Sequence, residues 1–144
     1  MIRYLVGPIK SVYAQDGKRA QNMEVEDTAR LHFETEENII GMVDLSWSLY
    51  KHTPNYVNIF GTLGTIEVGW AQSLVWDAKT KTSRVFGNGY KKLDAFMNQM
   101  EHFTDCIQKK TKPILGIDDA VESVRVIETA YRSIEERKWL KVHP

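Results

Sequence analysis

The sequence predicts an α+β domain: an open, mostly antiparallel sheet with helices packed on one face. Three observations carry that prediction. From Ile9 to about Phe86, β-branched and aromatic residues alternate with polar ones, interrupted by turn residues at short intervals, which is the pattern of half-buried strands. The strands follow one another too closely for crossover connections, so neighbours run antiparallel. From about Leu93 the apolar spacing becomes helical, giving two amphipathic helices whose apolar faces match a sheet face that needs cover.

Taken in order, Ile2-Arg3-Tyr4-Leu5-Val6-Gly7-Pro8 is a helix stop with almost no helix before it. Gly7 suits a left-handed terminator, and Pro8 has no N–H with which to continue. So short a helix is marginal alone, which predicts that these 144 residues are the back part of a longer protein. Ile9 to Ala14 forms a first strand, and Gln15 to Glu26 a polar loop. Thr28 to Glu34 alternates strictly, with Ala29, Leu31 and Phe33 on one side and Arg30 and His32 on the other. Thr35-Glu36-Glu37-Asn38 turns the chain, and Ile39 to Ser48 returns with Val43, Leu45 and Trp47 facing the helices.

Pro54 marks a break. Tyr56 to Phe60, Thr65 to Val68, Ser73 to Asp77 and Thr82 to Phe86 follow as four short strands, with Gly61 and Gly64 bracketing the tight turn at Thr62-Leu63. That glycine pair feeds a strand rather than a helix N-terminus, which argues against a phosphate loop. Leu93, Phe96, Met97, Met100, Phe103 and Ile107 define the stripe of the first long helix, which ends at the run of lysines before Pro113. Asp118-Asp119 offers an N-cap for the second, with Glu122 completing a capping box. Its expected stripe is Ala120, Val121, Val124, Ile127, Ala130, Tyr131 and Ile134.

Composition sets limits on function. At 144 residues one domain spanning 1–144 is the expectation. Lys plus Arg equals Asp plus Glu at 19 each, so no overall field draws in nucleic acid or an anionic membrane. The single cysteine, Cys106, forms no internal disulfide and suits a buried thiol in a reducing compartment. Neither a leader nor an apolar run of about 18 residues is visible, which predicts a soluble cytoplasmic protein with no membrane partner.

The residues that carry chemistry are sparse. The histidines at 32, 52, 102 and 143 are too scattered to pair as metal ligands, and His102 reads as a helix-surface residue. No serine occupies a Gly-x-Ser-x-Gly elbow, and no Gly-x-Gly-x-x-Gly follows a strand. No catalytic, cofactor-binding or metal residue is therefore assigned. Candidate substrate-facing residues are Arg19 in the polar loop, and Lys51 and His52 in the connection after the Trp47 strand, where a rigid sheet would hold them. The sheet face away from the helices presents Arg30, Met42, Asp44, Tyr56, Asn58 and Phe60, a mixture typical of a protein interface. It predicts a homo-oligomer built through the open sheet.

Several short motifs, in order, resemble the C-terminal domain of the glucose–fructose oxidoreductase/inositol dehydrogenase (Gfo/Idh/MocA) family. They are Leu5-Val6-Gly7-Pro8-Ile9, Val25-Glu26-Asp27-Thr28-Ala29, Leu45-Ser46-Trp47 and Ile59-Phe60-Gly61-Thr62-Leu63-Gly64-Thr65-Ile66. Gln99-Met100-Glu101-His102-Phe103, Asp105-Cys106-Ile107, Asp118-Asp119-Ala120 and Ala130-Tyr131-Arg132-Ser133 continue the series. The resemblance implies a partner Rossmann domain, upstream, that binds NAD or NADP and carries a Glu-Lys-Pro segment with a catalytic lysine. It also implies that this part of the protein lines a sugar or polyol pocket and packs against another subunit. The family's Asp-x-x-x-His pair lies on the helix running into the Leu-x-Gly segment, which here would precede Met1. Glu-Lys-Pro is absent and Lys112-Pro113 follows the wrong helix, so no catalytic residue carries over. The expectation is a substrate and oligomerisation domain that holds no cofactor and is not catalytic alone. The alternative is a stand-alone assembly or ligand-binding module on the same fold.

Overall fold

The computed structural model describes residues 1–142, so His143 lies outside the described residues. The elements in chain order are α1 (Ile2–Val6), β1 (Ile9–Asp16), β2 (Thr28–Thr35), β3 (Ile40–Ser46), β4 (Asn55–Gly61), β5 (Gly64–Gly69), β6 (Ser73–Asp77), β7 (Thr82–Phe86), α2 (Lys92–Lys109), α3 (Ile117–Glu136) and β8 (Leu140–Lys141). All strand pairings are antiparallel and fall into two four-stranded sets, β3-β2-β1-β8 and β4-β5-β6-β7. The α+β class and the antiparallel pairing are as the alternation predicted, but the strands divide between two open sheets where one was expected. Two compact units carry the two sets: Met1–Tyr50 with the chain from Ile114 onward, and Lys51–Pro113.

In the first unit, the core is Ile9, Val12, Phe33 and Val126, with Ile2, Val6, Leu31, Val43 and Val142 packed around it. Packing explains why α1 forms at all: it is one and a half turns long, but Ile2 and Val6 lie on the core and Arg3 Nη1 donates to the Asp119 carbonyl at 3.0 Å. Gly7, at φ 85°, ends it with its N–H on the Arg3 carbonyl.

A bulge then sets the phase of β1. Ile9 pairs with Thr35 but Ser11 pairs with Glu34, so Lys10 is an extra residue and both Ile9 and Val12 face the core. On β2, Leu31, Phe33 and the fully buried Thr35 share that side, as the strict alternation from Thr28 requires. The Thr35 hydroxyl accepts the Ile39 N–H at 3.0 Å and Asn38, at φ 60°, completes the turn.

Three sequence expectations are corrected in this unit. Trp47 lies one residue beyond the end of β3 and is 88% exposed, so it is not a core residue although Val43 and Leu45 do face α3. On α3 the buried positions are Val126, Thr129 and Ser133, at i, i+3 and i+7, while Val121, Val124, Ile127 and Tyr131 of the expected stripe are exposed. The helix seats a narrow, partly polar ridge on β1. Ser133 makes this possible: its Oγ accepts the Ala14 N–H at 2.9 Å and donates to the Lys138 carbonyl at 2.7 Å, satisfying β1 where two-residue β8 cannot reach. α3 also begins earlier than predicted, at Ile117. Gly116 is its N-cap and Asp119, at N3, accepts the Gly116 N–H at 3.0 Å.

The second unit is a four-strand meander followed by α2. Thr62-Leu63 forms the β4–β5 turn, and Gly64, at φ 156°, is required because a side chain there would overlap the Trp76 carbonyl. Asp77 Oδ1 accepts the Lys79 and Thr80 N–H groups at 2.9 and 2.8 Å, closing the β6–β7 turn. Leu93, Phe96, Met97, Met100, Phe103 and Ile107 are all exposed, so the expected burial of the α2 stripe is not found. Every fully buried hydrophobic among the described residues belongs to the first unit.

Candidate functional site

β1 to β3 present one face to α3, and on the opposite face the register lines up a row of large side chains. Tyr13 pairs with His32, and His32 with Met42. Trp139, just before β8, stacks on Tyr13 with ring centroids 6.0 Å apart and planes 29° apart, and Tyr13 lies 6.4 Å from the His32 ring. Ion pairs border the row on both sides: Arg30 Nη2 to Asp44 Oδ2 at 3.1 Å, and Lys10 Nζ to Glu34 Oε1 at 3.4 Å. The Ser11 hydroxyl also donates to Glu34, at 3.3 Å. An apolar centre bounded by charged groups is the anatomy of an association surface.

The polar loop between β1 and β2 is held by one carboxylate. Asp27 is 2% exposed, and its Oδ2 accepts the N–H groups of Ala20 at 2.7 Å and Gln21 at 3.0 Å. The Gln21 N–H holds the Asp27 carboxyl below its ordinary acidity range against the opposing effect of burial. Gly17 N–H closes the loop onto the Thr28 carbonyl, and Trp47 N–H reaches the Asp27 carbonyl, both at 2.8 Å. Arg19 therefore projects from an anchored loop, exposed, with Nη1 3.4 Å from the Met23 carbonyl.

α3 borders the loop from the other side. The Tyr131 hydroxyl donates to Glu26 Oε1 at 2.8 Å, and that bond to a carboxylate holds the proton on the phenol and raises its pKa. Below the pair lies an apolar groove of about 150 Å³ between Leu31, Val43 and Leu45 of the sheet and Ile127 and Ile134 of the helix. A second groove, of about 360 Å³, opens between α1 and the start of α3, lined by Tyr4, Pro8, Ile114, Leu115 and Ala120.

The residues singled out from sequence divide between the units. Arg30, Met42 and Asp44 sit together on the outer face of the first sheet, with Arg30 and Asp44 paired across strands. Tyr56, Asn58 and Phe60 belong to β4 of the second unit. There Tyr56 packs on Trp70 at 4.5 Å, Asn58 accepts from Asn55 at 3.3 Å, and Phe60 is 80% exposed. Arg19 lies in the first unit, and the exposed Lys51 and His52 lie in the second. His102 and Cys106 are both half-buried on α2, with Nε2 and Sγ 3.6 Å apart. No three of His, Cys, Asp and Glu gather around a common point among the described residues, and no helix there is long and apolar enough to cross a membrane.

Tyr13 and Trp139 escaped the sequence reading. Counting by twos from Ile9 puts Tyr13 on the core side, and only the bulge at Lys10 turns it outward. Trp139 follows the last helix, where no periodicity assigns it a face. Ser133 was quoted as part of a motif but, being polar, was left out of the stripe.

Comparison with known proteins follows the same outline. A family model described as the GFO/IDH/MocA C-terminal domain matches residues 1–67. No curated protein matches the sequence. Among solved structures, levoglucosan dehydrogenase in complex with NADH and levoglucosan superposes with a TM-score of 0.88 at 15% identity, over 99% of this chain and 47% of that one. The Caulobacter crescentus aldose-aldose oxidoreductase complexed with glycerol gives 0.79 at 22% identity, over 96% of this chain and 43% of its own. An Agrobacterium radiobacter oxidoreductase in complex with NAD+, L-tartaric acid and magnesium gives 0.83 at 16%, over 98% and 45%. This chain thus spans less than half the length of each. Residues 1–67 thus match the GFO/IDH/MocA C-terminal domain, and nearly the whole chain shares its fold with part of these oxidoreductases.

Proposed function

We propose that this chain is the substrate-side, self-associating domain of an NAD(P)-dependent oxidoreductase acting on sugar- or polyol-class molecules, and that it transfers no hydride alone. The observation that carries the reading is the extent of the structural match: almost all of this chain lies on less than half of oxidoreductases whose complexes hold NADH, levoglucosan or glycerol. A Rossmann domain would supply the nicotinamide cofactor that exchanges the hydride. The exposed apolar ridge of α3 and the groove beside α1 suit the docking of such a domain, because Ile117, Val121, Val124 and Ile127 would otherwise stay in water. Arg19 on its anchored loop, and Lys51 and His52, supply donors for substrate hydroxyl or acidic groups. The row formed by Trp139, Tyr13, His32 and Met42 is the surface for a second copy, which two-fold symmetry would bury on both partners.

The test combines calorimetry with sedimentation. The purified chain should bind NADH no more tightly than about 100 µM, roughly 5.5 kcal/mol, and should sediment as an oligomer that Met42→Glu converts to a folded monomer. Tight NADH binding or hydride transfer by the chain alone would overturn the cofactor half of the reading. A folded monomer of the unmodified chain at micromolar concentration would overturn the association half.

A further inference from the structure

We infer that His32 makes self-association through the outer face of the first sheet dependent on pH, an inference that rests on the association reading above. The position of the ring carries the argument. His32 is the third member of the row running from Trp139 through Tyr13 to Met42, so it occupies the apolar centre of the face. The groups around it are accounted for on each strand. β1 presents the Tyr13 phenol, the Lys10 ammonium lies at the edge, and β8 adds Lys141 opposite Ser11. β2 itself carries Arg30 and Glu34 two residues to either side of His32, and β3 contributes Met42 opposite and Asp44 along the strand. Arg30 is paired with Asp44 and Glu34 with Lys10, so both nearby carboxylates already face cations.

A neutral imidazole in this row can be covered by a second copy as one more aromatic ring. An imidazolium would lose its hydration at the centre of the contact, and each dimer would carry two. Imidazole is the side chain whose charge ordinarily changes between pH 5 and 8, whereas carboxyl, phenol, ammonium and guanidinium groups ordinarily hold one state across that window. The face therefore associates at neutral pH and releases in mild acid.

Sedimentation equilibrium of the full chain at about pH 7.5 and about pH 5.5, with circular dichroism at both, tests this. The expected result is a dissociation constant at least about tenfold weaker at the lower pH, with unchanged secondary structure. In His32→Gln and, as a second variant, His32→Asn, the ratio of the two constants should fall below about threefold, whatever the absolute affinity. A monomer at both pH values would overturn the interface itself. Association that is equal at both pH values, or pH dependence that survives in a folded His32 variant, would leave the interface standing and overturn the role of His32.

Discussion

The ring of Phe33 on β2 lies directly over the α-carbon of Gly41 on β3, filling the space where any other residue would carry a side chain. The two residues are register partners, and the missing Cβ lets the ring stay 6% exposed within the core. Gly41→Ala would overlap that ring and should destabilise the chain by about 1–3 kcal/mol. Phe33→Ala should cost about 3–5 kcal/mol. In the Phe33→Ala background the added methyl at position 41 meets no ring, so the two losses should not sum. Urea denaturation of the four members of the cycle measures the coupling.

Ser133 should matter more than its size suggests. It is fully buried, and its hydroxyl serves both the Ala14 N–H and the Lys138 carbonyl. Ser133→Ala leaves two backbone groups unpaired beside β1 and should cost about 1–3 kcal/mol, read from the shift of the denaturation midpoint. A Ser133→Ala protein with unchanged stability would mean that water replaces the hydroxyl.

Trp47 should matter less than its type suggests. At 88% exposure it has little surface to lose, and Trp47→Ala should stay within about 0.5 kcal/mol of the parent in the same assay. A loss of several kcal/mol would place the indole in a contact that the chain makes with another molecule or unit.

The loop between β1 and β2 should loosen in acid. The Asp27 carboxyl is held below its ordinary value of 3.8, first by the Gln21 N–H, so its contribution is complete above that value and disappears as the pH falls through the lower folded value. Hydrogen exchange at the Ala20 and Gln21 amides should accelerate, beyond its intrinsic pH dependence, only below about pH 4. Asp27→Ala should expose the same amides at neutral pH. Protection that persists in Asp27→Ala would show that the loop is held by something other than this carboxylate.

Strands were legible wherever one face is apolar and the phase is unbroken. Ser73–Asp77 and Thr82–Phe86 were read to the residue, and the inward set of β2 followed from alternation alone. Helix existence was equally plain, but the buried side of α3 was not. Periodicity points to the most apolar stripe, whereas the ridge that fits against β1 is the narrow one containing Thr129 and Ser133. The candidate site suffered for related reasons. Asp27 looked like one more residue of a polar motif, because its value lies in backbone N–H groups six and seven residues away that no side-chain pattern encodes.

The extra residue at Lys10 also makes the chain's length before it a fixed quantity. Upstream of that point the chain runs one residue out of step with the ladder that follows, and Ile9, Gly7 and α1 are all placed by that offset. A deletion of Lys10 would remove the bulge and leave unbroken alternation, with Ile9 still opposite Thr35 and facing the core. Regular pairing with Lys10 kept would instead turn Ile9 towards solvent and carry Ile2 and Val6 off the core. The core contacts of Ile9, Ile2 and Val6 thus rest on one unpaired backbone residue, whose own side chain reaches away to Glu34.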